Sequence, residues 1–261
     1  VKCTNEENYL LQMFARTVLQ TNNIDNGSRL YNPATRLALG ASIGFPGTTG
    51  RLEALEQSQV IMVVGADPSA SAPRVSYAIK RAVKFRGAKL IIIDPRRTKL
   101  SSIAHLQLRP RTGSDPALLN GMARVIIDEG LLDKEFVSRK TDNFESLTVG
   151  LGKYSTAYAA DITGVKQEDI QAAARLYARA GQAAIVYGSG ITQYTGGADS
   201  VRALANLALL TGNIWRNGGG IFALQKDSNA QGACDMGALP DFLPGYQSVK
   251  DVEARKKFEA H

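Results

Sequence analysis

Between residues 59 and 94 the pattern of apolar and polar positions changes period twice. QVIMVVG, residues 59–65, is an unbroken apolar run, and ADPSASAP interrupts it. In RVSYAIKRAVKFRG, residues 74–87, Val75, Ile79, Ala82 and Val83 recur at intervals of three and four while Arg74, Lys80, Arg81 and Lys84 take the opposite face. AKLIIID, residues 88–94, is apolar again. The spacing predicts strand, loop, helix, strand, with Gly87 capping the helix. Strands without alternation belong to a parallel sheet covered on both faces, so this is a βαβ unit with a right-handed crossover.

The same alternation continues. IAHLQL, residues 103–108, predicts a third short strand, and DPALLNGMARVIIDEG a helix with Pro116 in its first turn. After a polar stretch, KQEDIQAAARLYARAG predicts an amphipathic helix, AAIVYG at 183–188 a buried strand, and DSVRALANLALLTG a helix ending at Gly212. Strands alternating with helices predict an α/β fold: a doubly wound, mostly parallel sheet with helices on both faces, over residues 27–222. Residues 1–26 open with a helix-like segment whose apolar face needs a partner, and residues 223–261 are rich in Asn, Asp, Gly and Pro before a charged tail. These ends predict partial segments of a neighbouring domain.

Composition narrows the function classes. At 44% hydrophobic and 21% charged over 261 residues, the chain is globular rather than disordered. Its longest apolar runs fall far short of the roughly 20 residues a membrane span needs, and no signal peptide is visible at the amino terminus. Cys3 and Cys234 stand far apart without metal-ligand spacing, the bland reading being reduced thiols in the cytoplasm. The net charge of +7 is spread along helices without an aromatic-basic pattern or a helix-turn-helix, which argues against nucleic acid.

In an open parallel sheet ligands gather beyond the carboxyl ends of the strands, where loops meet helix amino termini. Four loops end there: GADPSASAP, DPRRTKLS, RPRTGSDP and GSGITQYTGG. Asp67 is placed to accept from a sugar or base, and Ser69 or Ser71 to do the same or simply to cap the next helix. Asp94 suits a ribose or a guanine edge, and Arg96 and Arg97 suit phosphate, or else a solvated strand end. Because Arg111 recurs in the neighbouring loop, a ligand is favoured for at least one arginine. Gly188 and Gly190 fit a close backbone approach or a tight turn. Neither GxGxxG nor GxxxxGK[ST] is present, so any nucleotide binds by another scheme.

TNEENY, ARTVLQTNNID, IIIDPRRT, ALLNGMARVIIDEGL, DITGV, GSGITQ, LANLALLTGN and QGACDMGALPD, taken in order, cover nearly the whole chain. Together they resemble the large subunit of molybdenum- or tungsten-dependent formate dehydrogenases, members of the bis-molybdopterin guanine dinucleotide oxidoreductases. The resemblance implies that Gly65, Asp67, Ser71, Asp94, Arg96, Gly113 and Asp115 bind the guanine dinucleotide tails, with Gly190 and Gln193 near the pterin. It implies an internal piece of a longer subunit whose iron-sulfur cluster lies outside these residues. It further implies other subunits of a redox complex as partners, with a location in the cytoplasm or peripheral on the cytoplasmic membrane through those partners.

Three positions depart from the family pattern. In DNGSRLYNPATR, Tyr31 stands at the selenocysteine or cysteine metal-ligand position and Asn32 at the histidine position; in LQKDSNAQG, Gln225 stands at the arginine that orients a carboxylate substrate. A phenol supplies no soft ligand, an amide accepts no proton near neutral pH, and formate loses its bidentate partner, leaving Lys226 as a point charge. The expectations are therefore an oxidoreductase whose substrate differs from formate, an electron-transfer subunit similar to the large iron-sulfur subunit of NADH:quinone oxidoreductase, or a non-redox docking domain.

Overall fold

The computed structural model describes residues 2–225 and 227–259, so Lys226 lies outside the described residues. The chain divides into two compact units, Ala34–Leu224 and Val1–Pro33 with Gln225–His261. The sheet-bearing unit thus starts later than the 27–222 expected from the sequence.

The larger unit is built on a five-stranded sheet. Strands β1 (Val60–Val64), β2 (Lys89–Ile93), β3 (Leu106–Leu108), β4 (Ala183–Tyr187) and β5 (Gly220–Ala223) lie in the order β3-β2-β1-β4-β5. All four pairings are parallel, with Met62 of β1 opposite Ile91 of β2 and Ile185 of β4. The chain winds outward through β1, β2 and β3, returns, and winds the other way through β4 and β5. The topological switch point therefore lies between β1 and β4.

Both faces of the sheet are buried, which explains the absence of alternation in its strands. Ile61, Val63, Leu90, Ile92, Ala184 and Val186 point to one face, with Ala78, Ile79 and Ala82 of helix Pro73–Arg86 and with Leu55. Met62, Val64, Ile91, Ile93, Ile185 and Tyr187 point to the other, under helices Asp115–Asp128, Gln167–Ala178 and Gly197–Leu210. Each fully buried Leu, Ile or Met on these faces stabilises the fold by about 1.5–3 kcal/mol relative to exposure. Gly87 closes helix Pro73–Arg86 with φ +70, the left-handed conformation that a side chain disfavours.

Several parts of this unit were not anticipated. Strand β5, GIFA, follows a glycine-rich turn and offers too short an apolar run to register as a strand; it forms because β4 presents a free edge beside it. The polar stretch holds short helices Lys134–Lys140, Phe144–Gly150 and Thr156–Thr163. The last packs so closely on helix Asp115–Asp128 that a Cβ at Gly121 would sit 2.8 Å from the Ala159 methyl.

The smaller unit begins with helix Asn5–Thr17, started by a capping box in which Glu7 N–H donates to Thr4 Oγ1 at 3.2 Å and Thr4 N–H to Glu7 Oε2 at 2.7 Å. The buried positions of this helix are Asn8, Gln12 and Ala15, whereas Leu10, Leu11 and Phe14 are exposed. Arg16, in the last turn, donates to the carbonyls of Gly237 at 2.9 Å, Leu239 at 2.7 Å and Phe242 at 2.9 Å. One guanidinium thereby ties the first helix to the carboxyl-terminal segment, where Phe242–Leu243 and Gln247–Ser248 form a two-stranded antiparallel pair. Among the described residues, no helix is long and apolar enough to cross a membrane.

Candidate functional site

At the carboxyl edge of the sheet, the loops after β1 and β4 lie backbone against backbone. Gly190 N–H donates to the Gly65 carbonyl at 2.9 Å and Gly188 N–H to the Val64 carbonyl at 3.2 Å. A Cβ at Gly190 would fall 2.5 Å from the Gly65 oxygen, and one at Gly188 would fall 2.9 Å from Ala66 Cβ. The close approach that these glycines permit is thus to the opposite loop. Gly65 itself takes φ +54, with Ile191 pressed against the space a side chain would need.

The loop after β1 turns directly into helix Pro68–Ser71. Asp67 is its cap, accepting from Ser69 N–H at 3.1 Å. Neither serine caps a helix: Ser71 Oγ donates to the Asp67 carbonyl at 3.0 Å, and Ser69 Oγ lies 2.9 Å from Ser76 Oγ.

The loop after β2 holds a forked carboxylate-guanidinium pair. Asp94 is 2% exposed at the end of a buried strand, and accepts from Arg96 Nε and Nη2, each at 3.0 Å, and from Arg96 N–H at 2.9 Å. Asp94 holds the Arg96 guanidinium above its ordinary range, with smaller contributions from Asp67 and Tyr194. Asp67, Asp94, Arg96 and Tyr194, from three loops, are therefore electrostatic neighbours.

From the β3 loop, Asp115 is buried in the first turn of helix Asp115–Asp128. Burial pushes its carboxyl upward and the Asp94 charge adds to that shift, against a hydrogen bond from its own backbone N–H. Gly113, at φ +82, and Gln193 are both exposed on their loops. Arg111 is engaged elsewhere: its Nη1 donates to the carbonyls of Asp161 at 2.7 Å and Ile162 at 3.2 Å, which closes helix Thr156–Thr163.

The smaller unit holds the other three expected positions. The Tyr31 hydroxyl donates to Asp227 Oδ2. Burial, then the Asp227 hydrogen bond and charge, then the Cys234 charge, push the phenol pKa upward. Cys234 is buried, its Sγ 3.1 Å from Ser28 Oγ and 3.6 Å from Asn26 Nδ2. Asn32 ends the short helix Ser28–Tyr31, its N–H donating to the Ser28 carbonyl at 2.7 Å. Gln225 Oε1 is buried without a hydrogen-bond partner among the described residues. Asp227 and Cys234 were missed as members of this cluster. The only sequence signal for them was their place in LQKDSNAQGACDMG.

A carboxylate-guanidinium pair beside a glycine-lined switch point suits a ligand with hydrogen-bond donors on one edge and negative charge on another. Comparison with known proteins gives that chemistry a family: the molybdopterin oxidoreductase family model matches residues 2–261. The chain belongs to the molybdopterin oxidoreductase family. It is 45% identical over 250 residues to the F420-dependent formate dehydrogenase subunit alpha of Methanocaldococcus jannaschii, covering 96% of this chain and 37% of that one. It is 42% identical to formate dehydrogenase H of Escherichia coli, covering 97% of this chain and 35% of that one. The chain thus spans little more than a third of the length of these curated relatives. Among solved structures, acetylene hydratase from Pelobacter acetylenicus shares the fold, with a TM-score of 0.61 and 24% identity over 84% of this chain and 34% of that one. This chain is therefore a molybdopterin oxidoreductase domain related to formate dehydrogenase large subunits, a family whose cofactor is of the molybdopterin type with molybdenum or tungsten.

The residues present fit the two ends of such a cofactor unequally. The sheet edge supplies a buried carboxylate already engaged by paired N–H donors, as a nucleotide base would engage it. For the metal there is no comparable set: among the described residues no group of three or more His, Cys, Asp and Glu is placed to hold one. Tyr31, expected from the sequence at the ligand position, donates its hydroxyl to Asp227, and burial and that carboxylate push its pKa upward.

Proposed function

We propose that the sheet-bearing unit binds the guanine dinucleotide of a molybdopterin cofactor in the large subunit of a redox complex. The observation that carries this reading is Asp94, a buried carboxylate at the carboxyl edge next to the switch point, engaged by paired N–H donors from an exposed side chain. Asp94 reads the base or ribose and Arg96 meets the phosphates. Gly65, Asp67 and Ser71 shape the floor of the first loop, Gly113 and Asp115 that of the third, and Gly190 and Gln193 face the pterin. The flanking segments, 1–33 and 225–259, belong to a neighbouring domain.

When bound, the cofactor supplies two-electron redox chemistry at a dithiolene-held metal. This chain's residues hold and orient it, and Tyr31, Asn32 and Gln225 are the three positions that differ from the pattern of a formate oxidiser. Tyr31 contributes a hydrogen-bonded phenol and Gln225 an amide oxygen, without a partner among the described residues, that is able to accept from a substrate or water. The subunit passes electrons to partner subunits. Relatives named as subunit alpha support that arrangement, since the name implies further subunits in those proteins.

A second reading, an electron-transfer subunit that has lost its own chemistry, draws on the Tyr31 phenol, which offers no ready anionic ligand. Molybdenum and tungsten content, together with pterin fluorescence after oxidation, separates the two in the full-length subunit purified anaerobically. Stoichiometric metal and pterin support a catalytic centre. Absence of both leaves electron transfer or scaffolding.

A further inference from the structure

The Arg96 guanidinium meets Asp94 as a fork, with Nε on Oδ1 and Nη2 on Oδ2, each at 3.0 Å. The two partners live in different surroundings: the Asp94 side chain is 2% exposed and that of Arg96 is 66% exposed. A buried carboxylate needs donors continuously, because an unpaired charge in that position is strongly unfavourable. An exposed guanidinium loses little on leaving, because water takes up its N–H groups. Asp94 is thus a site that must be filled, and Arg96 is a filler that can be released. The third bond, from Arg96 N–H to Asp94 Oδ1 at 2.9 Å, comes from backbone and keeps the carboxylate aimed whichever partner occupies its outer side.

A guanidinium edge and the Watson–Crick edge of guanine offer a carboxylate the same thing. Each presents two parallel N–H donors on nitrogens joined through one carbon, spaced to meet both oxygens. Adenine offers one donor and one acceptor on that edge, cytosine one donor and two acceptors, and uracil sets its single donor between two acceptors. A carboxylate shaped to a guanidinium therefore selects guanine among the common bases.

We propose that Arg96 is a placeholder for a guanine base: in the cofactor-free chain it occupies Asp94, and on nucleotide entry it cedes both oxygens to guanine N1–H and N2–H and turns to the phosphates. The proposal rests on the guanine dinucleotide reading above. It adds the source of base selectivity and an exchange of partners by Arg96. Asp67 and Tyr194 lie near enough to act on the Arg96 charge, so the released guanidinium remains among the loops at the switch point, where the phosphates would lie.

The test is titration of the cofactor-free chain with guanosine, inosine and GDP, in wild type, Arg96→Ala and Arg96→Lys. Guanosine carries no phosphate, so it experiences only the cost of displacing Arg96. It should bind Arg96→Ala several-fold, up to about tenfold, more tightly than wild type. The advantage of GDP over guanosine, present in wild type, should shrink by about tenfold in that variant. Arg96→Lys, whose ammonium cannot form the fork, should fall between. Inosine, lacking the 2-amino group, should bind each form more weakly than guanosine.

Independently, the Arg96 Nε–H resonance of the wild-type chain should shift on saturation with GDP and stay in place with ADP. This arm needs no variant, so the proposal remains exposed if Arg96→Ala fails to fold. Guanosine binding to a folded Arg96→Ala no tighter than wild type, or an Arg96 signal unmoved at saturating GDP, overturns the placeholder while leaving the guanine reading intact. If no form binds any guanine ligand, the guanine reading itself fails and the proposal fails with it.

Discussion

Gly190 N–H donates to the Gly65 carbonyl oxygen at 2.9 Å, which seats the loop after β4 directly on the loop after β1. An alanine Cβ at position 190 would fall 2.5 Å from that oxygen and 2.9 Å from the Gly65 carbonyl carbon, both backbone atoms that cannot rotate away. Gly190→Ala should therefore force the two loops apart at a cost of about 1–3 kcal/mol. Thermal denaturation should show the midpoint falling by about 2–4 °C for each kcal/mol in a chain of this size. An unchanged midpoint would mean that the loops separate freely.

Asp115 carries a buried carboxyl whose pKa burial raises above its unfolded value of about 3.9. The folded chain then binds the Asp115 proton more tightly than the unfolded chain. The Asp115 contribution to stability is accordingly highest below the unfolded pKa and declines as pH rises through the folded one. Asp115→Asn, always neutral, should be more stable than wild type at pH 7, and the difference should vanish as pH falls below about 4. Denaturant midpoints measured across that range test the sign.

The Tyr31 hydroxyl is a donor to an Asp227 carboxylate whose side chain is only 12% exposed. Tyr31→Phe removes that donor and leaves the carboxylate short of a partner, a loss of about 1–3 kcal/mol. The double variant Tyr31→Phe/Asp227→Asn should recover part of it, since the uncompensated charge has gone. Equal stability of the single and double variants would show that Asp227 finds another donor.

Arg111 and Arg96 look alike in sequence, both lying on strand-end loops, but Arg111 spends its guanidinium on the Asp161 and Ile162 carbonyls. Arg111→Ala should lower stability by about 1–2 kcal/mol and leave GDP affinity unchanged. A clear loss of GDP affinity in Arg111→Ala would restore Arg111 to the ligand site.

In the smaller unit, Arg16 reaches three backbone carbonyls through two nitrogens. Lysine carries the same charge but no fork, so Arg16→Lys should lower the unfolding midpoint nearly as far as Arg16→Ala. A lysine variant as stable as wild type would show that charge near the carbonyls suffices.

Several features of the protein were determined by the sequence alone, because short-range periodicity encodes them. The unbroken apolar runs VIMVV, LIII and AAIVY specify strands buried on both faces, and the spacing of Val75, Ile79 and Ala82 specifies a helix packed on one of them. Gly87, with no side chain to oppose a positive φ, marks the end of that helix. The motif order likewise pointed to the molybdopterin oxidoreductases, and the family match over residues 2–261 agrees.

Only the tertiary structure decided where long-range partners meet. β5 is a strand because β4 leaves an edge for it, and the face that helix Asn5–Thr17 buries is Asn8, Gln12 and Ala15, against the pattern of its apolar residues. Nothing in the neighbourhood of Arg111 reveals that carbonyls 50 and 51 residues away will claim it, nor does RLYNP announce that Tyr31 will find Asp227, 196 residues away. Local pattern sets which segments become strands and helices, because backbone geometry repeats within a few residues. Which side chains meet at a site depends on how those elements pack, and packing depends on shape and buried polar pairing summed over the whole chain.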